Sequence, residues 1–246
     1  IAELRSILGF SSNLLGFNFI NYFARNADGF LIGRLLGAND LGVYTIAYRM
    51  MLFPLQNISS VVSRVLFPVF SRWQHDTKHL SELYLSSVSA ISLVVAPCMF
   101  GLFVVRANFV EVLLGPGWEK VAVVLMWLAP VGLLQAILTT VGTLYLALGE
   151  TKLMLRWGGF VSLLTVVGFM IGIQWGLLGM LKAYAVLSVI LFIPSLYIPT
   201  RMIGLSILDI GYAIAPSFIC ALMMAVSIYL VLPFFKEYGA FGLIAV

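Results

Sequence analysis

The stretch VAVVLMWLAPVGLLQAILTTVGTLYLALG, residues 121 to 149, contains no charged side chain. A hydrocarbon core about 30 Å thick is crossed by about 20 apolar residues in a helix, so this stretch suffices for one full crossing. A barrel strand would instead alternate apolar and polar residues over about ten positions. Within lipid, a continuous apolar segment satisfies its backbone groups as a helix.

Similar runs lie at 83 to 105, 157 to 181, 183 to 200 and 210 to 235, and two more, near 9 to 33 and 42 to 66, are interrupted by charge. The composition agrees: 62% of the 246 residues are hydrophobic and 10% charged, with a mean hydropathy of +1.07, whereas roughly a quarter of an ordinary soluble domain is charged. The expected fold is an all-α polytopic transmembrane helical bundle of seven spans, forming a single transmembrane domain over 1–246. The chain begins at Ile1 without Met and ends at Val246, inside a new apolar run that starts at Tyr238. The expectation is a piece of a longer protein, and such a start carries no information on a signal peptide.

Lys and Arg in loops bias topology. With the N-terminus cytoplasmic, that side holds Arg5, Arg64, Arg72, Lys78, Lys152, Arg156 and Arg201, against Arg34, Arg106, Lys120 and Lys236 opposite. The majority favours this orientation. The net charge of +4 is spread over the loops, which does not suggest a nucleic-acid partner. Cys98 and Cys220 lie within spans without Cys-x-x-Cys spacing and read as small apolar packers. His75 and His79 share the longest polar connection, 71 to 82, and read as solvated loop residues. No metal site and no cofactor are expected.

Pro54, Pro97, Pro130, Pro194, Pro199 and Pro216 fall in or near the ends of spans. Each removes a backbone donor and tends to bend its helix, as a rocking transporter would use, although Pro is common in membrane helices generally.

The first two spans differ from the rest. At the 3.6-residue period, Ser11, Asn18, Asn21, Arg25 and Asp28 fall within about a 100° arc of the first helix. The second carries Thr45, Tyr48, Arg49, Gln56, Ser59, Ser60 and Ser63 on one side, and the GAND turn at 37 to 40 joins the two. They are expected to be antiparallel neighbours. A charge at mid-membrane costs about 2.5 to 3.5 kcal/mol on insertion scales, so these stripes avoid lipid. A structural reading pairs Arg25 with Asp28 at i, i+3 and lets Arg49 snorkel. The functional reading places both stripes around a water-filled cavity with Arg25, Asp28, Arg49, Asn18, Asn21, Tyr48 and Gln56 on its walls. Two guanidinium groups against one acid suit an anion, since the planar fork of Arg matches phosphate oxygens. Lys182, near the start of its helix, reads as a snorkelling cation.

Three segments then carry a resemblance: LGANDLGVYTIAYR at 36 to 49, VLFPVFS at 65 to 71, and LLGPGWEKV at 113 to 121. Together they resemble the C-terminal half of bacterial polysaccharide exporters, the Wzx-type oligosaccharide flippases of the multidrug/oligosaccharidyl-lipid/polysaccharide superfamily. The resemblance implies the second lobe of a transporter of about twelve to fourteen helices around a central cavity, multi-pass in the bacterial inner membrane. It also implies an undecaprenyl-pyrophosphate-linked oligosaccharide as substrate, alternating access as mechanism, and membrane lipids and other polysaccharide assembly proteins as partners. Arg25 and Arg49 match the cavity arginines that meet the pyrophosphate, with Asp28 tuning Arg25 or coupling protons. A multidrug or cation antiporter of the same superfamily would favour a carboxylate-rich cavity. A membrane-embedded glycosyl or phosphoryl transferase would need an acid/base or metal cluster, whereas Asp76, Glu82, Glu111, Glu119 and Glu150 are scattered. The chain therefore reads as a transporter and not an enzyme.

Overall fold

A computed structural model of the chain describes residues 2–232, apart from the side chains of 2–7 and 58–63. Ser59, Ser60 and Ser63 of the second stripe, Lys236, the side chain of Arg5 and the run from Tyr238 thus lie outside the described residues.

The described chain is built of seven long α-helices: α1 (Ala2–Leu35), α2 (Ala38–Arg72), α3 (Thr77–Leu114), α4 (Glu119–Ala147), α5 (Thr151–Gly172), α6 (Gly176–Arg201) and α7 (Ile207–Val231). Among the described residues, four helical stretches are long and apolar enough to cross a membrane: α3, α4, α7, and the 51-residue Thr151–Arg201 stretch that holds both α5 and α6. The protein is an all-helical membrane protein. Helices α1 and α2, which carry the polar stripes, are each one continuous helix.

Several turns rest on glycines in a positive-φ conformation that other residues adopt only with strain. Gly37, with φ 94°, joins α1 to α2, and Gly115 and Gly117, with φ 80° and 96°, shape the turn between α3 and α4. The connection between α2 and α3 is shorter than the polar stretch 71 to 82 suggests. Helix α2 continues to Arg72, and α3 starts at Thr77, where the N-cap Asp76 accepts a hydrogen bond from the His79 amide at 3.0 Å. Both capping and the tilted contact of the His79 and Trp73 rings, centroids 4.2 Å apart, let polar residues be helical here.

The break between the fifth and sixth spans also differs from the expected division near Lys182. It is a single 3-10 turn at Ile173–Trp175, and Lys182 lies inside α6. Backbones touch there: a Cβ on Gly179 would sit 2.4 Å from the Gly172 carbonyl oxygen. Glycine at both positions is what permits so tight a hairpin. The Lys182 side chain is exposed, with its ammonium 5.8 Å from the Trp127 ring centroid.

Helix α4 is the spine, touching α2, α3, α5 and α6, while α7 packs along α3. Its two halves anchor two apolar clusters. Val121 to Ala136 join Ile32, Tyr44, Met51 and Met99, and Ile137 to Ala147 join Phe70, Leu80, Tyr84 and Leu196. Tyr84 is fully buried and its hydroxyl meets that of Thr140 at 3.1 Å, which pairs two polar atoms that burial would otherwise leave costly. Cys98 and Cys220 are exposed on the outside of the bundle, so neither is an interior packer.

Candidate functional site

Helices α1 and α2 touch mainly beside the Gly37 turn, where Leu41 approaches Gly33 so closely that a Cβ would lie 3.1 Å from it. Beyond that they part, in contrast to the neighbourly hairpin expected. Helix α1 leans on α5: the Phe17 ring lies 2.3 Å from where a Gly158 Cβ would be, and Leu155 packs on Gly16. Helix α2 leans on α4, with Met51 against Gly132. Small residues on α4 and α5 thus draw the two helices to different partners and open a wedge between their polar faces.

Two cavities occupy this wedge. One, of about 560 Å³, lies between α1 and α2 and is lined by Arg25, Asn26, Asp28, Gly29, Tyr44, Thr45, Tyr48, Arg49, Leu52, Phe53 and Gln56. The other, of about 330 Å³, is walled by Asn21, Arg25 and Asp28 of α1, Tyr48 of α2, and residues of α4, α5 and α6 that include Gln135, Ser162, Thr165, Tyr184 and Ser188. Arg25, Asp28 and Tyr48 belong to both. The second cavity sits near the middle of its helices: Gln135 within Glu119–Ala147, Ser162 within Thr151–Gly172, Ser188 within Gly176–Arg201. This is also where the two apolar clusters meet along α4.

Asp28 is 7% exposed and Tyr44 3%. The Tyr44 hydroxyl donates to Asp28 Oδ2 at 2.5 Å, and the Gly29 amide donates to Oδ1 at 2.6 Å. The carboxyl is therefore held by neutral donors and does not form the ion pair with Arg25 that a purely structural reading supplies. Among the described residues the one ion pair joins Lys120 Nζ to Asp40 Oδ1 at 3.9 Å. Arg25 and Arg49 are both exposed within the wedge, and Tyr48 stacks on Tyr44 with centroids 5.6 Å apart. The site thus presents two unpaired guanidinium groups and one carboxyl already satisfied by other groups.

Of the residues singled out from the sequence, Arg25, Asp28, Tyr48, Arg49 and Gln56 line the larger cavity, and Asn21 lines the smaller. Asn18 and Ser11 are exposed on α1 and line neither of these two cavities. Tyr44, Gln135 and Tyr184 escape the sequence reading. Gln135 was open to detection as the one carboxamide in the charge-free run 121 to 149. Among the described residues no group of three or more His, Cys, Asp or Glu could hold a metal ion.

The family model for "Polysaccharide biosynthesis protein" matches residues 1–123. The chain is 29% identical over 224 residues to the teichuronic acid biosynthesis protein TuaB of Bacillus subtilis, covering 91% of this chain and 46% of that protein. It is 29% identical over 199 residues to the lipopolysaccharide biosynthesis protein WzxC of Escherichia coli, covering 80% and 40%. A third similarity, 34% over 134 residues, is to the succinoglycan biosynthesis transport protein ExoT of Rhizobium meliloti, covering 54% and 26%. The chain spans less than half the length of these curated relatives. No solved structure matches it.

Proposed function

The chain belongs to the polysaccharide biosynthesis protein family, and from that premise we propose that it is one transmembrane lobe of a transporter that flips a lipid-linked oligosaccharide across the bacterial inner membrane. The substrate is an undecaprenyl-pyrophosphate-linked repeat unit. Its pyrophosphate lies in the cavity between α1 and α2, and the lipid tail stays in the bilayer while the lobe rocks against its partner lobe between inward-open and outward-open states. The similarity to a succinoglycan biosynthesis transport protein supports transport over enzymatic chemistry.

The observation that carries this reading is the pairing of Arg25 with Arg49 around one cavity whose single carboxyl is committed to Tyr44 and Gly29. Guanidinium groups bind phosphate oxygens through paired, charge-assisted hydrogen bonds, an arrangement Lys reproduces only as a point charge. Had Asp28 neutralised Arg25, an antiporter for cations would have been the better fit.

The test is export of surface polysaccharide by the full-length protein carrying Arg25→Ala, Arg49→Ala or the corresponding Lys changes. Each Ala variant is expected to lower export at least tenfold at equal protein level, and each Lys variant to retain part of it; loss of a charge-assisted contact worth about 1.5–3 kcal/mol sets that scale. Normal export by both Ala variants removes the pyrophosphate role.

A further inference from the structure

The smaller cavity differs chemically from its neighbour. Beyond the shared Arg25, Asp28 and Tyr48, its walls on α4, α5 and α6 carry only neutral groups, among them the Gln135 amide, the hydroxyls of Thr139, Ser162, Thr165, Ser188 and Ser195, and the rings of Phe169 and Tyr184. Those two rings meet edge to face with centroids 5.0 Å apart. Gln135 donates its amide N–H to the Tyr184 hydroxyl, which fixes the side chain across two helices. Its carbonyl oxygen is buried with no hydrogen-bond partner. Buried acceptors are nearly always paired in native proteins, so the unpaired oxygen of this cavity-lining residue is left for a ligand donor to satisfy.

We propose that this neutral cavity seats the first sugar ring of the carrier-linked oligosaccharide, with Gln135 Oε1 accepting a hydrogen bond from a sugar hydroxyl or amide N–H. The inference rests on the reading of the larger cavity as the pyrophosphate site, and it extends that reading from the charge to the adjoining saccharide. Three features support it. The two cavities share a wall at Arg25, Asp28 and Tyr48, as a pyrophosphate bonded directly to a sugar requires. A volume of about 330 Å³ is at the small end of ligand pockets and suits a ring or two, not a whole repeat unit. Hydroxyls and aromatic faces, without added charge, match a pyranose, which has hydroxyls around its rim and apolar C–H faces.

The experiment measures binding to the purified full-length transporter of farnesyl pyrophosphate and of farnesyl pyrophosphate linked to glucose, galactose or N-acetylglucosamine. Methyl glucoside alone serves as the unlinked sugar. At least one linked probe is expected to bind the natural protein about tenfold more tightly than the bare pyrophosphate, the scale of one or two neutral hydrogen bonds. Gln135→Leu, close in size, is expected to bring that ratio to about one, and Gln135→Asn, which keeps the amide on a shorter arm, to lower it partway. Arg49→Gln, which alters only the charged cavity, weakens every pyrophosphate probe and preserves the ratio. A ratio unchanged in Gln135→Leu, no gain from any of the three sugars, or methyl glucoside binding without a gain for its linked form overturns the sugar site. If instead Arg49→Gln leaves all pyrophosphate probes unaffected, the underlying pyrophosphate reading is what fails.

Discussion

Tyr44→Phe separates a structural role for Asp28 from an electrostatic one. The substitution removes the hydroxyl that donates to Asp28 Oδ2 at 2.5 Å and leaves the Gly29 amide on Oδ1 as the carboxyl's remaining partner. A hydrogen bond to a charged group contributes about 1.5–3 kcal/mol, so the thermal stability of the protein should fall noticeably. The consequence for binding is less obvious. Arg25 lies three residues before Asp28 on the same helix, the spacing at which side chains face each other. A carboxylate released from Tyr44 turns to that guanidinium and neutralises it. At 4 Å the attraction is ~1 kcal/mol in bulk water and ~4 kcal/mol at an effective dielectric constant near 20. Arg25 is exposed, which places the effect near the lower figure, about a fivefold loss of affinity.

The assay is binding of farnesyl pyrophosphate to the full-length protein in the natural, Tyr44→Phe, Asp28→Asn and doubly substituted forms. Tyr44→Phe should bind about fivefold more weakly, and adding Asp28→Asn should restore affinity to within about twofold of the natural protein, because an amide cannot neutralise Arg25. Stability need not recover in the double variant, since the Tyr44 contact is still missing, and that split separates charge from fold. Unchanged binding in Tyr44→Phe, or no rescue by Asp28→Asn, refutes the idea that Tyr44 keeps Arg25 free for an anion.

Other outcomes follow from the packing. Gly179→Ala sets a Cβ 2.4 Å from the Gly172 carbonyl oxygen, a backbone atom, and should cost about 1–3 kcal/mol as overpacking does, seen as a lower melting temperature and a smaller folded fraction on gel filtration. Gly132→Ala, whose Cβ would meet the flexible Met51 side chain at 2.7 Å, should cost less than Gly179→Ala in the same melting assay. At the start of α7, the Ser206 amide and hydroxyl donate to Asp209 and hold its carboxyl below its ordinary value of 3.8. A carboxyl lowered in the folded state stabilises above its unfolded value and loses that contribution as pH falls below it. Ser206→Ala should therefore lose stability at neutral pH and show a shallower acid limb in a pH series of melting curves.

Most of the helices were legible because a bilayer demands unbroken apolar length, and that demand is written in one dimension. What the sequence hid was mostly relational. Lys182 looks like a boundary because it interrupts an oily run, yet a lysine near a helix end can reach out along its stem; the true break follows from Gly172, Gly176 and Gly179, which let two backbones touch. Tyr44 stands inside LGANDLGVYTIAYR, the segment that carries the family resemblance, but its part in the site depends on a carboxyl of another helix. A helical wheel of α2 alone cannot show that partner. Gln135 is a lone amide in a charge-free run, and its orphaned oxygen becomes evident only when Tyr184 takes its N–H.

The wedge itself has a physical origin that links these residues. Polar stripes on α1 and α2 would ordinarily close on each other, since hydrogen bonding across a helix pair removes polar groups from lipid. Here the closing force has stronger competitors: Gly158 and Gly159 give α1 a smooth track on α5, filled by Phe17 and Ile20, and Gly132 gives α2 one on α4, filled by Met51. Dispersion contacts are individually small but accumulate along such close-packed helices. Arg25 and Arg49 therefore face an open wedge because apolar packing on the far sides of their own helices keeps the two stripes apart, while Tyr44 and Gly29 occupy the Asp28 carboxyl. Filling that track tests the origin directly. Gly158→Leu, by forcing α1 off α5, should let the stripes close, bury Arg25 and abolish farnesyl pyrophosphate binding without any change to a cavity residue. Retained binding in a folded Gly158→Leu protein would mean that the wedge is held open by something other than this packing.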